Sequence, residues 1–152
     1  MIIRQIEPKD VSEVMGLIRG LAEYEKDLKS VTNTIERLSA DIFKNHHCDS
    51  LVAEVEEVIV GFSLYYTSYS TWKGPCLYLE DLFVLPKFRS MGVGSKLFDH
   101  LVSKAQNNGF ARMDWQILDW NQLAIDFYER KGALIDNDWL NGHIFFFENE
   151  VK

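Results

Sequence analysis

Leu77-Tyr78-Leu79-Glu80-Asp81-Leu82-Phe83-Val84 runs, past Pro86, into Arg89-Ser90-Met91-Gly92-Val93-Gly94-Ser95 and an apolar-striped segment to Ala105. The first eight residues are rich in apolar and aromatic side chains and stop before a proline, which predicts a strand. Leu97, Phe98, Leu101, Val102 and Ala105 recur at helical spacing. Strand, glycine turn and helix therefore follow one another directly. A helix N-terminus has backbone N–H groups without partners and carries partial positive charge. Glycines let an anion approach that backbone closely, so the turn predicts a phosphate cradle, with Arg89 adding a planar cation. Two glycines at a helix start are a weak signal by themselves, and an incidental pair is the plain alternative. The nucleoside-triphosphate loop is excluded, because Gly94 is followed by Ser95-Lys96 rather than by lysine and then a hydroxyl residue. The dinucleotide fingerprint lacks its third glycine near Leu97.

Outward from this segment the chain reads as mixed α and β. Ile2, Ile3 and Ile6 predict a first strand, and Pro8 suits the first turn of a helix carrying Val11, Val14, Met15, Ile18, Leu21 and Ala22. Ile35, Leu38 and Ile42 predict a second helix with Asn33 or Thr34 as cap. Leu51–Val55 and Val58–Tyr66 read as a hairpin joined through Glu56-Glu57. Asn107-Asn108-Gly109 closes the next helix, and Met113–Leu118 predicts a fifth strand. Leu123–Arg130 predicts a helix stopped by Gly132. Leu134-Ile135 and His143–Phe147 predict two closing strands, with Trp139 packing a terminal hairpin. Hairpins early and crossovers late imply one α/β (α+β) domain over 1–152, a central mixed sheet flanked by helices.

Composition bounds the function. The 152 residues are 47% hydrophobic and 26% charged, the balance of a globular domain. The net charge of −7 makes general nucleic-acid binding a poor fit, since phosphate contacts need a cationic footprint. No stretch reaches the length of a membrane span and no secretory signal is visible at Met1–Gln5, so a cytoplasmic protein without membrane partners is expected. Cys48 and Cys76 form no metal spacing and read as free thiols; His46 and His47 read as a polar loop. No metal is expected.

Taken together, Tyr78–Val84, Pro86 and Arg-x-x-Gly-x-Gly resemble the acyl-CoA-binding core of the GNAT acetyltransferase superfamily, and the element order is similar to that fold. Leu21–Lys26, Tyr69–Gly74, Tyr78–Asp81 and Leu118–Gln122 extend the resemblance to the diamine acetyltransferases over nearly the whole chain. Ser70–Gly74 and Leu118–Asn121 look more like the thialysine type; the polyamine type has an acidic residue where this chain has Ser70. The resemblance implies acetyl transfer from acetyl-CoA to a small cationic amine such as thialysine or lysine, with putrescine, spermidine and spermine as the alternative acceptors. A homodimer is also implied, with Phe145–Phe147 either at the interface or in a core strand.

The same resemblance assigns the site. Arg89, Ser90, Met91, Gly92, Val93, Gly94 and Ser95 would hold the CoA pyrophosphate, and Leu82, Phe83 and Val84 would pair with the pantetheine arm like an added strand. Asn121, Gln122, Leu123 and Ala124 would also border the cofactor, Asn121 doubling as a helix cap. Tyr128, in a segment similar to the family's FY-x-x-x-GA run, would protonate the departing thiolate. Tyr24, Glu25, Trp72, Glu80, Asp81, Asp114, Trp115 and Gln116 would line the amine site. Glu80 is the expected base or cation-binding carboxylate, with Asp81 a second polar contact or purely structural. Neighbours on a strand face opposite ways, so the two can share a cleft only if a bulge re-aims one. A sensor that binds acyl-CoA without catalysis and a protein-lysine acetylase are the readings from other classes.

Overall fold

The computed structural model describes residues 1–146, which fall into two compact units, one from Met1 to Trp115 and one starting at Gln116. The first contains β1 (Ile2–Gln5), α1 (Val11–Tyr24), α2 (Ile35–Phe43), β2 (Asp49–Val55), β3 (Val58–Ser70), β4 (Gly74–Val84), α3 (Val93–Asn107) and β5 (Met113–Asp114). The strands form one sheet in the order β1-β2-β3-β4-β5, with three antiparallel pairs and a parallel β4–β5 contact.

Two cores sit on opposite faces of this sheet. Val11, Val14, Met15 and Leu17 of α1 and Leu38 and Ile42 of α2 pack with Val52, Phe62, Leu64 and Phe83. Gly61 points to the other face, where a Cβ would lie 3.5 Å from Leu97 of α3 and 2.9 Å from the Phe83 carbonyl oxygen. Only hydrogen fits between the strands there. Helix ends follow the local chemistry. The Thr34 hydroxyl accepts from Arg37 N–H at 3.1 Å, and Gly109 (φ 69°) follows α3. The start of α1 is tied to β1 by an ion pair the sequence pattern did not announce: buried Asp10 accepts from both Arg4 Nη atoms at 2.7 and 3.0 Å. Arg4 holds the Asp10 carboxyl below its ordinary range.

The β2–β3 turn places Glu56 (φ 50°) and Glu57 (φ 64°) in the left-handed region, as a two-residue hairpin requires. Neither residue favours it. Replacing the pair with Asn-Gly is expected to stabilise the protein by about 1 kcal/mol, read as a higher urea midpoint at constant slope.

The closing strands do not form. β5 is two residues long rather than the expected Met113–Leu118, and neither Leu134-Ile135 nor His143–Phe146 is a strand. Asp136-Asn137-Asp138 and Asn141-Gly142 favour turns, and a strand needs a neighbour to satisfy its edge. Trp139 packs no terminal hairpin and is 84% exposed. Phe147 lies outside the described residues. The second unit is built on α4 (Gln122–Arg130), which Asn121 caps as expected, its side-chain oxygen accepting from Ala124 N–H at 3.2 Å. Gly132 follows at φ 85°.

Candidate active site

The decisive local feature is a β-bulge in β4. Leu64 pairs with Asp81, but the next residue, Tyr65, pairs with Leu79, so Glu80 is an extra residue with no opposite number. Strict alternation would separate Tyr78 from Asp81 by face. The bulge cancels that alternation: Asp81 faces the same side as Leu64 and Phe83, and Tyr78, paired with Tyr66, faces it too. Glu80 is the residue whose direction the alternation no longer fixes, and its charge acts on Asp81.

Their environments differ. Asp81 is half-buried, and its pKa is pushed up to about 7, first by burial and then by the charges of Glu80 and Glu25. Glu80 is more exposed, and its pKa is raised by partial burial. Glu25, at the C-terminal end of α1, is raised by burial and by Asp27. Asp81, in the middle of β4, thus feels the charges of both Glu80 beside it and Glu25 at the end of α1. Tyr66 and Tyr78 stack beside them, ring centroids 5.1 Å apart, and Glu80 raises the pKa of both after burial does. Sequence reasoning assigned no role to Tyr66 or Tyr78. The available signal was the cross-strand register, which the bulge obscured.

Beyond Tyr78, β4 has no strand partner on its β5 side among the described residues, because the parallel pairing stops at Tyr78–Asp114. The edge running through Leu82, Phe83 and Val84 therefore has no strand beside it, and the Val84 carbonyl accepts instead from Arg89 Nε at 3.0 Å. Past it, Ser90 (φ 69°) and Gly92 (φ 77°) are both left-handed while Met91 between them is not. Alternating hand is a pattern that can turn successive N–H groups to one side, as in an anion nest, and it stands here at the start of α3, whose N-cap is Gly92. A Cβ at Gly92 would meet nothing within 4 Å, so the space above the turn is free. Ser95 Oγ donates to Asp99 Oδ2 at 3.4 Å, at the spacing of one helical turn. These residues fit an anionic, extended ligand. Gly92→Val forces a β-branched residue into the left-handed region; its expected signature is roughly tenfold weaker CoA binding by calorimetry, and normal affinity would remove the turn from the cradle.

The remaining predicted residues are dispersed. Tyr24 ends α1 and contacts Arg89. Trp72 sits at the β3–β4 hairpin tip, 91% exposed, and five residues of strand separate Gly74 from Glu80, roughly 20 Å at the usual rise. Ser70 Oγ caps this tip, accepting from Trp72 N–H and Lys73 N–H at 3.3 and 3.2 Å. Asp114 is paired to Arg112 at 2.8 Å, and the Trp115 ring packs edge-on to Phe98 of α3 at 5.5 Å. Gln116 belongs to the second unit and donates to Asn141 at 2.6 Å. Tyr128 also lies there, buried on α4 with its ring edge-on to Phe127 at 5.1 Å.

A cleft of about 570 Å³ is lined by Gln5, Ile42, Cys48, Asp49 and Lys104 among others, and by Tyr66 of the stacked pair. Neither acidic residue of the bulge nor any residue of the glycine turn borders it, so its size alone does not mark it as the site of chemistry. His47 Nε2 lies 4.0 Å from Asp41. Among the described residues no group of three or more His, Cys, Asp and Glu side chains could hold a metal ion, and no helix is long and apolar enough to cross a membrane.

Residues 14–133 match the acetyltransferase (GNAT) family. The chain is 39% identical over 162 aligned positions to the thialysine N-epsilon-acetyltransferase of Bos taurus, covering 99% of this chain and 94% of the relative. It is 32% identical to the spermidine/spermine N(1)-acetyltransferase-like protein 1 of Homo sapiens, covering 97% of this chain and 22% of that one. Among solved structures, a Bacillus halodurans protein superposes with a TM-score of 0.81 at 22% identity, covering 95% of this chain and all of that one. An aminoglycoside acetyltransferase from an uncultured soil metagenomic sample superposes with a TM-score of 0.79 at 21% identity, covering 96% of each.

Proposed function

We propose that this chain, which belongs to the acetyltransferase (GNAT) family, moves an acetyl group from acetyl-CoA to the side-chain amine of a small cationic acceptor of the thialysine or lysine kind. The observation that supports the reading is the bulge at Glu80, where the charges of Glu80 and Glu25 both act on Asp81 and, with burial, push its pKa up to about 7. An acceptor ammonium is attracted to such a cluster and must lose a proton before it can attack. A base is most effective when its pKa lies near the working pH. Asp81 therefore takes the base role in this reading, and Glu80, more exposed and beside the stacked tyrosines, holds positive charge.

When bound, acetyl-CoA supplies the thioester carbonyl. The turn at Ser90–Gly92, with Arg89, Met91, Val93, Gly94 and Ser95, would hold its phosphates, and the edge at Leu82, Phe83 and Val84 would take the pantetheine arm, with Asn121–Ala124 bordering it. Leu82 N–H would be the donor to the carbonyl oxygen. With acetyl-CoA bound, the amine nitrogen would bond to the acetyl carbon as the carbon–sulfur bond breaks. Asp81 would accept the amine's proton, and Tyr128, a role that rests on the family resemblance, would donate one to sulfur; a phenol, with an ordinary pKa near 10, holds that proton at neutral pH.

The domain is taken as single over 1–152, since the family match runs through the boundary at Trp115. A homodimer is part of the reading. Trp72 is 91% exposed at a hairpin tip, and Leu134, Trp139, Leu140, Ile144 and Phe146 are each more than four-fifths exposed, apolar surface that a second copy would cover. Phe147 falls outside the described residues. The acidic net charge and the free thiols Cys48 and Cys76 suit a cytoplasmic enzyme without nucleic-acid or membrane partners.

Steady-state kinetics with acetyl-CoA and thialysine, lysine, putrescine and spermidine test the acceptor. The expected result is the highest kcat/KM with thialysine. Spermidine turnover equal to or above it would favour the polyamine reading, to which the likeness to the spermidine/spermine-like protein points. Against it stands Ser70, a neutral residue occupied in its own turn.

A further inference from the structure

Arg89 was assigned to the phosphate cradle, yet its side chain lies along the amine side. Its Nε donates to the Val84 carbonyl at 3.0 Å. Its guanidinium carbon is 5.2 Å from the centroid of the Tyr24 ring and 5.4 Å from that of Phe83. Phe83 in turn lies under α1, close enough that a Cβ at Gly20 would stand 3.3 Å from its ring. Gly20 and Tyr24 are four residues apart and share a helix face. The absence of a side chain at Gly20 lets α1 settle on Phe83, and the Arg89 guanidinium lies over both the Phe83 ring and the Tyr24 ring one turn later. Tyr24 is followed at once by Glu25, whose charge reaches Asp81.

We propose that Arg89 is a positioning residue that couples the cofactor cradle to the amine pocket: through its stack on Tyr24 and Phe83, an anion bound at the cradle fixes the end of α1 that presents Tyr24 and Glu25 to the acceptor. The inference rests on the acetyl-CoA reading above. A guanidinium can stack by its face and donate by its edge at the same time, so holding a phosphate does not break the stack. A phosphate that restrains Arg89 restrains Tyr24 with it. The cofactor site then lowers the cost of ordering the amine site, and by reciprocity the amine tightens cofactor binding. Lysine cannot do this, because an ammonium has no plane to lay on two rings.

Calorimetry with CoA and thialysine, which together cannot react, tests the coupling. The enzyme should bind thialysine about fivefold or more tightly with CoA present than without it. In Arg89→Lys that ratio should fall to about one, while the retained positive charge keeps CoA binding measurable. Tyr24→Leu should abolish the ratio and leave CoA affinity as it was; Tyr24→Phe, which keeps the ring, should preserve the ratio. Full coupling in Arg89→Lys or Tyr24→Leu, or no coupling in an enzyme that binds CoA, overturns the inference. No CoA binding by the unmodified enzyme overturns the acetyltransferase reading instead.

Discussion

Asp81→Asn is expected to lower kcat/KM by about three orders of magnitude, within the range that a positioned acid or base contributes. The pH profile should change with it. The base must be ionised to act, so with its pKa near 7 the wild-type rate should fall about tenfold for each pH unit below that value and level off above it. The variant's residual activity should lose this inflection. Stability should move the opposite way. The folded-state pKa of Asp81 stands above its ordinary value of 3.8, so the unfolded chain ionises first as pH rises. Folding stability therefore declines between about pH 4 and 7 and stays reduced above. The neutral amide removes that cost, and Asp81→Asn should melt at a higher temperature than wild type at pH 8. A variant that is more stable but inactive separates loss of chemistry from loss of fold. If instead Glu80→Gln removes the inflection and Asp81→Asn keeps it, the two carboxylates exchange roles.

Tyr128→Phe is the second large effect. Removing one hydroxyl leaves the ring that packs on Phe127. Turnover should fall about a hundredfold if the phenol supplies the thiolate's proton. Acetyl-CoA affinity by calorimetry should stay within a factor of about two, since nothing in the proposed cradle changes. Unchanged turnover would take Tyr128 out of the mechanism. The loss should be smaller with an acyl donor whose thiol leaves more readily, because a better leaving group needs less help from an acid.

Most of the fold was legible because local chemistry and burial agree. The apolar stripes of α1, α2 and α3 read correctly from their spacing, and Thr34, Asn121 and Gly109 stand where their side chains or backbone predict. The closing strands misread for a physical reason. Phe145-Phe146 has the composition of a strand, but a strand exists only when a neighbour takes its hydrogen bonds, and composition does not supply one. The Arg4–Asp10 pair was missed because it joins β1 to the turn before α1, and no periodicity reports an ion pair between elements.

By itself the sequence determined the chemistry available: a glycine turn opening a helix, a strand carrying Glu80 and Asp81, and an acidic balance suited to a cationic acceptor. Those properties belong to residue types and near neighbours, and they survive in any fold that forms the local elements. What tertiary structure decided was orientation. The register of β3 on β4 makes Glu80 the bulged residue and turns Asp81 toward the face of Phe83. The early end of β4–β5 pairing leaves an edge with no strand beside it. The settling of α1 onto Phe83 at Gly20 brings Arg89 onto Tyr24. Each depends on how two distant segments align. A slip of one residue would send every side chain on the strand to the other face, Asp81 included.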